Sequence, residues 1–146
     1  MGLIDEIRCG EYVPVDDAVV PFPGKVSTLA DAGARIAAGE DPLVASREFL
    51  DQVPRLSALE ILAAIAERPV PTGDARGEAL LGALAEHLAT RLDTRAPFWT
   101  LEPERFLDRL WFVSRESGFR AVALAQTPVA LKRRGVLWPA RSLARV

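Results

Sequence analysis

The group best suited to proton transfer in this chain is His87, the single imidazole among 146 residues. Any histidine-dependent mechanism therefore has one base to use. Helical spacing puts it about a quarter-turn from a leucine row, beside Leu84 and Leu88. That is the place of a histidine at the rim of a packed helix, favoured in the helix's C-terminal half by the helix dipole. Glu102, Glu104 and Asp108 are the second candidates. On a helix, Glu104 and Asp108 share one face at i and i+4, as a paired acid and base or two magnesium ligands would. Arg105 and Arg109 interleave with them, and such alternation reads as a solvated helix face. Asp16 and Asp17 have no histidine or further carboxylate close in sequence, and Cys9 is the lone thiol. One Cys and one His exclude a disulfide framework and a Cys/His zinc cluster. There is no glycine-rich phosphate loop, no HExxH and no GxSxG. These residues name no reaction, no cofactor and no metal, and the chain is expected to be non-enzymatic.

Charge is the stronger signal. Residues 1–60 carry eleven acids against five bases, residues 61–118 nine against seven. Residues 119–146 carry no acid at all and six bases: Arg120, Lys132, Arg133, Arg134, Arg141 and Arg145. A net charge of −2 argues against a protein that coats nucleic acid with its whole surface, since such binding is driven by counterion release at many phosphates. The acid-free tail instead suits a local anionic contact. The candidate contact residues are Arg120, Lys132, Arg133, Arg134, Trp138 and Arg141, because arginine beside aromatic residues is enriched at protein interfaces and on RNA-binding surfaces. Three readings stay open for Lys132–Arg134: a solvated helix end complementing its own dipole, a protein contact, or a nucleic-acid contact.

Positioning those residues falls to helices. A composition 49% hydrophobic and 26% charged is enough for one core. Residues 10–26 hold Pro14, Pro21, Pro23 and Gly24, which stop every apolar run short of helical length, so 1–26 is expected to be an extended arm. Caps and apolar spacing then predict helices over 28–38, 42–52 and 57–68, the last opened by the Ser57–Glu60 capping box. A long helix follows from Asp74, with Leu80, Leu84, Leu88 and Leu92 repeating every four residues until Pro97. Pro103 opens a further helix over RFLDRLWF, Phe119–Leu124 makes another, and Pro128 opens a last one that Gly135 ends. Val136–Trp138 reads as a short strand or a buried extended piece. The expected architecture is all-α, a compact bundle of six or seven short helices over 27–146, with 70–74 the one turn-rich place where two subdomains could meet.

The helix pair 28–38 and 42–52 has the outline of a helix-turn-helix. Its second helix carries Glu48 and Asp51 against Arg47, after Glu40 and Asp41, the wrong sign for a phosphate backbone. No apolar run approaches the roughly 18 residues of a membrane span. The first residues, Met1-Gly2-Leu3-Ile4-Asp5-Glu6, carry acids where a signal peptide needs bases. The expectation is a cytoplasmic chain without membrane contact.

The last third carries a resemblance. Glu102-Pro103-Glu104-Arg105-Phe106-Leu107, Leu110-Trp111-Phe112, Phe119-Arg120-Ala121-Val122-Ala123-Leu124, Thr127 to Val136 and the closing Leu143-Ala144-Arg145-Val146 resemble small actinobacterial proteins. These are similar to the antitoxin-side members of toxin–antitoxin gene pairs whose partner is a nucleotidyltransferase-like toxin. The resemblance covers 74–146, with the first two helices fitting more loosely and the 10–26 arm lying outside it. It implies a protein that binds and neutralises a cognate toxin, and it brings no catalytic residues. Nucleotidyltransferases hold magnesium and nucleotide with acidic side chains, so Lys132-Arg133-Arg134 would suit docking near such a pocket. The alternative expectation is a nucleic-acid-binding transcriptional regulator that uses the basic C-terminal segment.

Overall fold

The computed structural model describes residues 25–144, and the expected arm, apart from Lys25 and Val26, lies outside the described residues. The first helix, α1 (Leu29–Ala37), starts at a reciprocal capping box between Thr28 and Asp31, and α2 (Pro42–Gln52) starts at Asp41, whose carboxylate accepts from the Leu43 N–H. The two capping interactions satisfy amide donors that the first helical turn leaves open. Arg35 of α1 pairs with Glu40 in the turn and with Glu48 of α2. The Ser57–Glu60 capping box opens α3 (Ala58–Ala66) as the spacing predicts.

The long helix, α4 (Ala75–Arg91), is the axis of the molecule. Gly77 through Ala85 are nine consecutive buried residues, so the helix is enclosed on every side, where the leucine row alone predicts one buried stripe. The small residues Gly77, Ala79, Gly82, Ala83 and Ala85 allow this enclosure by letting neighbouring backbones come close. Each fully buried leucine on it, such as Leu80, Leu81 and Leu84, contributes about 1.5–3 kcal/mol relative to exposure. One hydrophobic cluster runs from Leu29 of α1 to Leu143 near the C-terminus, continuous across the 70–74 turn.

The C-terminal part departs from the expected pattern. The predicted RFLDRLWF helix is absent: Pro103–Arg105 forms a single 3₁₀ turn, and Phe106 is already extended at φ −126° and ψ 129°. Its backbone donors are claimed from elsewhere in the chain. Leu107, Trp111 and Val113 donate to the carbonyls of Arg134, Gly135 and Leu137 at 3.0, 2.7 and 3.1 Å. Strand β1 (Trp111–Phe112) therefore runs parallel to β2 (Val136–Leu137), Trp111 opposite Val136 and Phe112 opposite Leu137. Between them lie α5 (Arg120–Gln126) and α6 (Val129–Lys132), and α7 (Ala140–Ala144), which the sequence pattern does not announce, follows β2. Seven helices and one two-stranded sheet make up the described residues, a mostly helical fold.

Gly135 makes the turn from α6 into β2 at φ +84°, a left-handed conformation that costs an L-residue about 1–2 kcal/mol. A Cβ there would also stand 3.2 Å from that of Leu107. Gly135→Ala is expected to lower unfolding free energy by about 1–2 kcal/mol, measured by urea denaturation, with helical content retained.

Candidate functional site

The cationic residues singled out by sequence divide into two groups. Arg120, Lys132, Arg133 and Arg141 are exposed, whereas Arg134 and Trp138 are buried. The expectation that Arg134 and Trp138 meet a partner is corrected by their contacts. Arg134 is 0% exposed; one terminal nitrogen donates to Glu86 and to the Ala130 carbonyl, the other to the Thr100 carbonyl at 2.6 Å. Its guanidinium lies over Phe106, 4.7 Å from the ring centre. Burial pulls its pKa below the arginine norm against the opposing pull of Glu86. Trp138 is enclosed by the core, with Arg47 of α2 over its ring at 5.6 Å. Trp99 is likewise buried, its Nε1 donating to the last carbonyls of α3, and its neighbour Phe98 is exposed.

A second buried arginine, Arg105, mirrors Arg134. It donates to Glu78 Oε1 at 2.5 Å and to Glu102 Oε1 at 3.2 Å, and its guanidinium lies 4.8 Å from the Trp99 ring centre. The second oxygen of Glu78 accepts from the backbone and hydroxyl of Thr72. Both arginines pass against Gly82: a Cβ at that position would come within 3.0 Å of Arg105 Cβ and 3.2 Å of Arg134 Nε. Arg105 was expected on a solvated helix face. With no helix over that segment, the side chain turns inward to the carboxylate of Glu78.

The candidates for acid–base chemistry fall into two places, the 102–108 carboxylates in one cleft and His87 in another. Glu104 and Asp108 share no helix face, since the helical turn ends at Arg105. Glu102, Glu104 and Asp108 line a cleft of about 570 Å³ with Asp74, Arg68 and Arg105. In it Glu102 is tied to Arg68 at 2.7 Å, which holds its carboxyl below the usual range. His87 lines a different groove, between α2, α4 and α7. There, burial first and the neighbouring charge of Arg91 second lower its pKa from 6.5. Among the described residues no group of three or more His, Cys, Asp or Glu is placed to hold a metal ion, and no helix is long and apolar enough to cross a membrane.

Around α5 the chain carries a run of exposed cationic and apolar residues. That helix buries one residue, Ala123, and leaves Leu124 47% exposed. Phe119 precedes it, Val129 opens α6 at 75% exposure, and Leu110 is also exposed. Arg109, Arg115, Arg120, Lys132 and Arg133 are interspersed with them. Arg120 rests over the Phe112 ring at 5.1 Å and Arg133 pairs with Glu86 at 3.1 Å. The free apolar positions escape a reading of charge alone; the signal available was the short Phe119–Leu124 run, too small to bury itself. No family model, curated protein or solved structure matches this chain.

Removing one member of a buried ion pair leaves the other charged and unsolvated. Glu78→Ala is expected to cost about 3–5 kcal/mol in urea denaturation, and adding Arg105→Met to it is expected to recover most of that loss. His87 gives a pH signature. Above pH 6.5 it is neutral folded and unfolded, and below that value the unfolded chain takes up the proton first. Stability should therefore fall as pH drops below 6.5 toward the lower folded-state pKa, and the difference between wild type and His87→Gln, followed by thermal melting across that window, should isolate this slope.

Proposed function

We propose that this chain is a non-enzymatic interaction protein, an antitoxin-like partner that binds and neutralises a cognate toxin protein through its C-terminal part. The observation that carries this reading is α5, a seven-residue helix with a single buried residue, flanked by exposed Phe119, Leu124 and Val129 and by surface arginines and a lysine. Exposed apolar side chains clustered in this way favour a protein contact, where burial supplies affinity and the surrounding charge supplies steering. A partner with an acidic rim around an apolar depression is complementary to it. The acidic pocket of a nucleotidyltransferase-like enzyme has that chemistry. A purely phosphate-directed surface has no need of Phe119, Leu124 and Val129.

The resemblance of residues 74–146 to antitoxin-side proteins points the same way. Within the 132–134 triplet, Lys132 and Arg133 are exposed, Arg133 paired with Glu86, and Arg134 is buried. The test is capture of the tagged protein's partners from its host, washed at low and then high salt, with proteins and nucleic acids both identified. A single protein retained at high salt and encoded in the neighbouring gene is the expected result. Leu124→Asp with Val129→Asp should abolish that capture, while Arg120→Glu with Lys132→Glu should chiefly slow association. Nucleic acid released by salt, with no protein partner, would overturn the reading in favour of a nucleic-acid-binding regulator.

A further inference from the structure

The groove between α2, α4 and α7 has no part in the surface just described. It encloses about 490 Å³ between aliphatic walls, from Leu50, Val53, Ile61, Leu88 and Leu143. Small-molecule sites run from about 300 to 1,000 Å³, and this groove falls within that range. Among the described residues that line it, the polar side chains are His87 and Arg91, and there is no acid. The two stand four residues apart at the end of α4, hence on one face, where a single small anionic group reaches both.

The fold leaves both side chains unused. Among the described residues neither makes a hydrogen bond, an ion pair or a ring contact. Arg91 is not needed to close its own helix, because the carbonyls of Leu88, Ala89 and Thr90 accept from the N–H groups of Leu92, Thr94 and Asp93. Burial favours the neutral form of His87, which keeps one ring N–H to donate.

The occupant follows from what these walls can satisfy. A peptide laid in the groove would bury amides and carbonyls against leucines, and each one left unpaired is costly. An aliphatic chain has no polar group along its length. An ammonium head would meet Arg91 with its own sign, and an uncharged head would leave the guanidinium without an opposite charge. A carboxylate accepts from the guanidinium and the imidazole N–H together.

We propose that this groove binds a free aliphatic carboxylate of medium chain length, its chain along Leu50, Ile61, Leu88 and Leu143 and its head group on Arg91 and His87. The site is separate from the α5 surface and stands independently of the toxin-binding reading. Titration of the isotope-labelled full chain with octanoate, decanoate and dodecanoate tests it. The amide signals of His87 to Leu92 and of Leu143 should shift and saturate, while those of residues 119–129 stay in place. Affinity should rise about fourfold for each added methylene. Decylamine should leave the groove signals unmoved. Arg91→Gln should weaken decanoate roughly two- to fivefold, the worth of an exposed charge contact. Ala140 is exposed at the groove's rim, so Ala140→Trp should abolish saturation with the melting temperature retained. No saturable shift with any of the three acids overturns the proposal, as does decylamine binding as tightly as decanoate. Shifts centred on residues 119–129, or a decanoate affinity untouched by Ala140→Trp, also overturn it. Groove signals that move with protein concentration instead of with decanoate overturn it too, and assign the groove to a second copy.

Discussion

Two guanidinium groups lying against a glycine hold this fold together. Arg105 and Arg134 reach α4 from the two strands of chain that form the C-terminal layer, and Gly82 leaves both the room to pass. Glu78 and Glu86, two turns apart on α4, receive them. A buried guanidinium is costly to desolvate, and the cost is offset only when the geometry is good and the remaining donors find acceptors. Here carbonyls of Thr100 and Ala130 and the rings of Trp99 and Phe106 complete the arrangement, leaving one Nε on each arginine without a partner. Arg105 and Arg134 stand in the segments that lead into β1 and β2, which pair in parallel.

This arrangement redistributes charge. The acid-free tail supplies the Arg134 cation to the interior, where Glu86 opposes it, and Glu86 also takes Arg133 as a neighbour. The surface cationic character therefore rests on Arg120, Lys132 and Arg141, with Arg109 and Arg115 added from the preceding segment. Among them Arg120 opens α5, a helix of seven residues that buries only Ala123. A helix of seven residues is marginal in isolation, so α5 gains from any surface that covers its apolar side.

The titratable candidates are separated by α4 itself. The carboxylates of 102–108 lie in a cleft toward its N-terminal end, where arginines neutralise Glu102, and His87 faces a groove near its C-terminal end. General acid–base chemistry needs a group within hydrogen-bond reach of the proton it transfers. The described residues include an acidic cleft, an apolar groove and a run of exposed cationic side chains.

The sequence by itself determined the helices whose ends are marked by local chemistry. Thr28, Asp41, Ser57 and Asp74 start helices because each side chain accepts from amides only two or three residues ahead, an interaction complete within one turn. Gly135 was legible for the same reason, and so were the acid-free tail and the apolar row on α4. What lay beyond reach was decided between residues far apart. The helix expected after Pro103 gave way to a strand because its amides find carbonyls at 134–137, and Arg134 left the surface because a carboxylate 48 positions earlier in the chain awaited it. A charged triplet reads as surface in any local window, since burying one of its members is favourable only when a partner, an acceptor set and a glycine-sized opening converge. That convergence is a property of the packed structure alone.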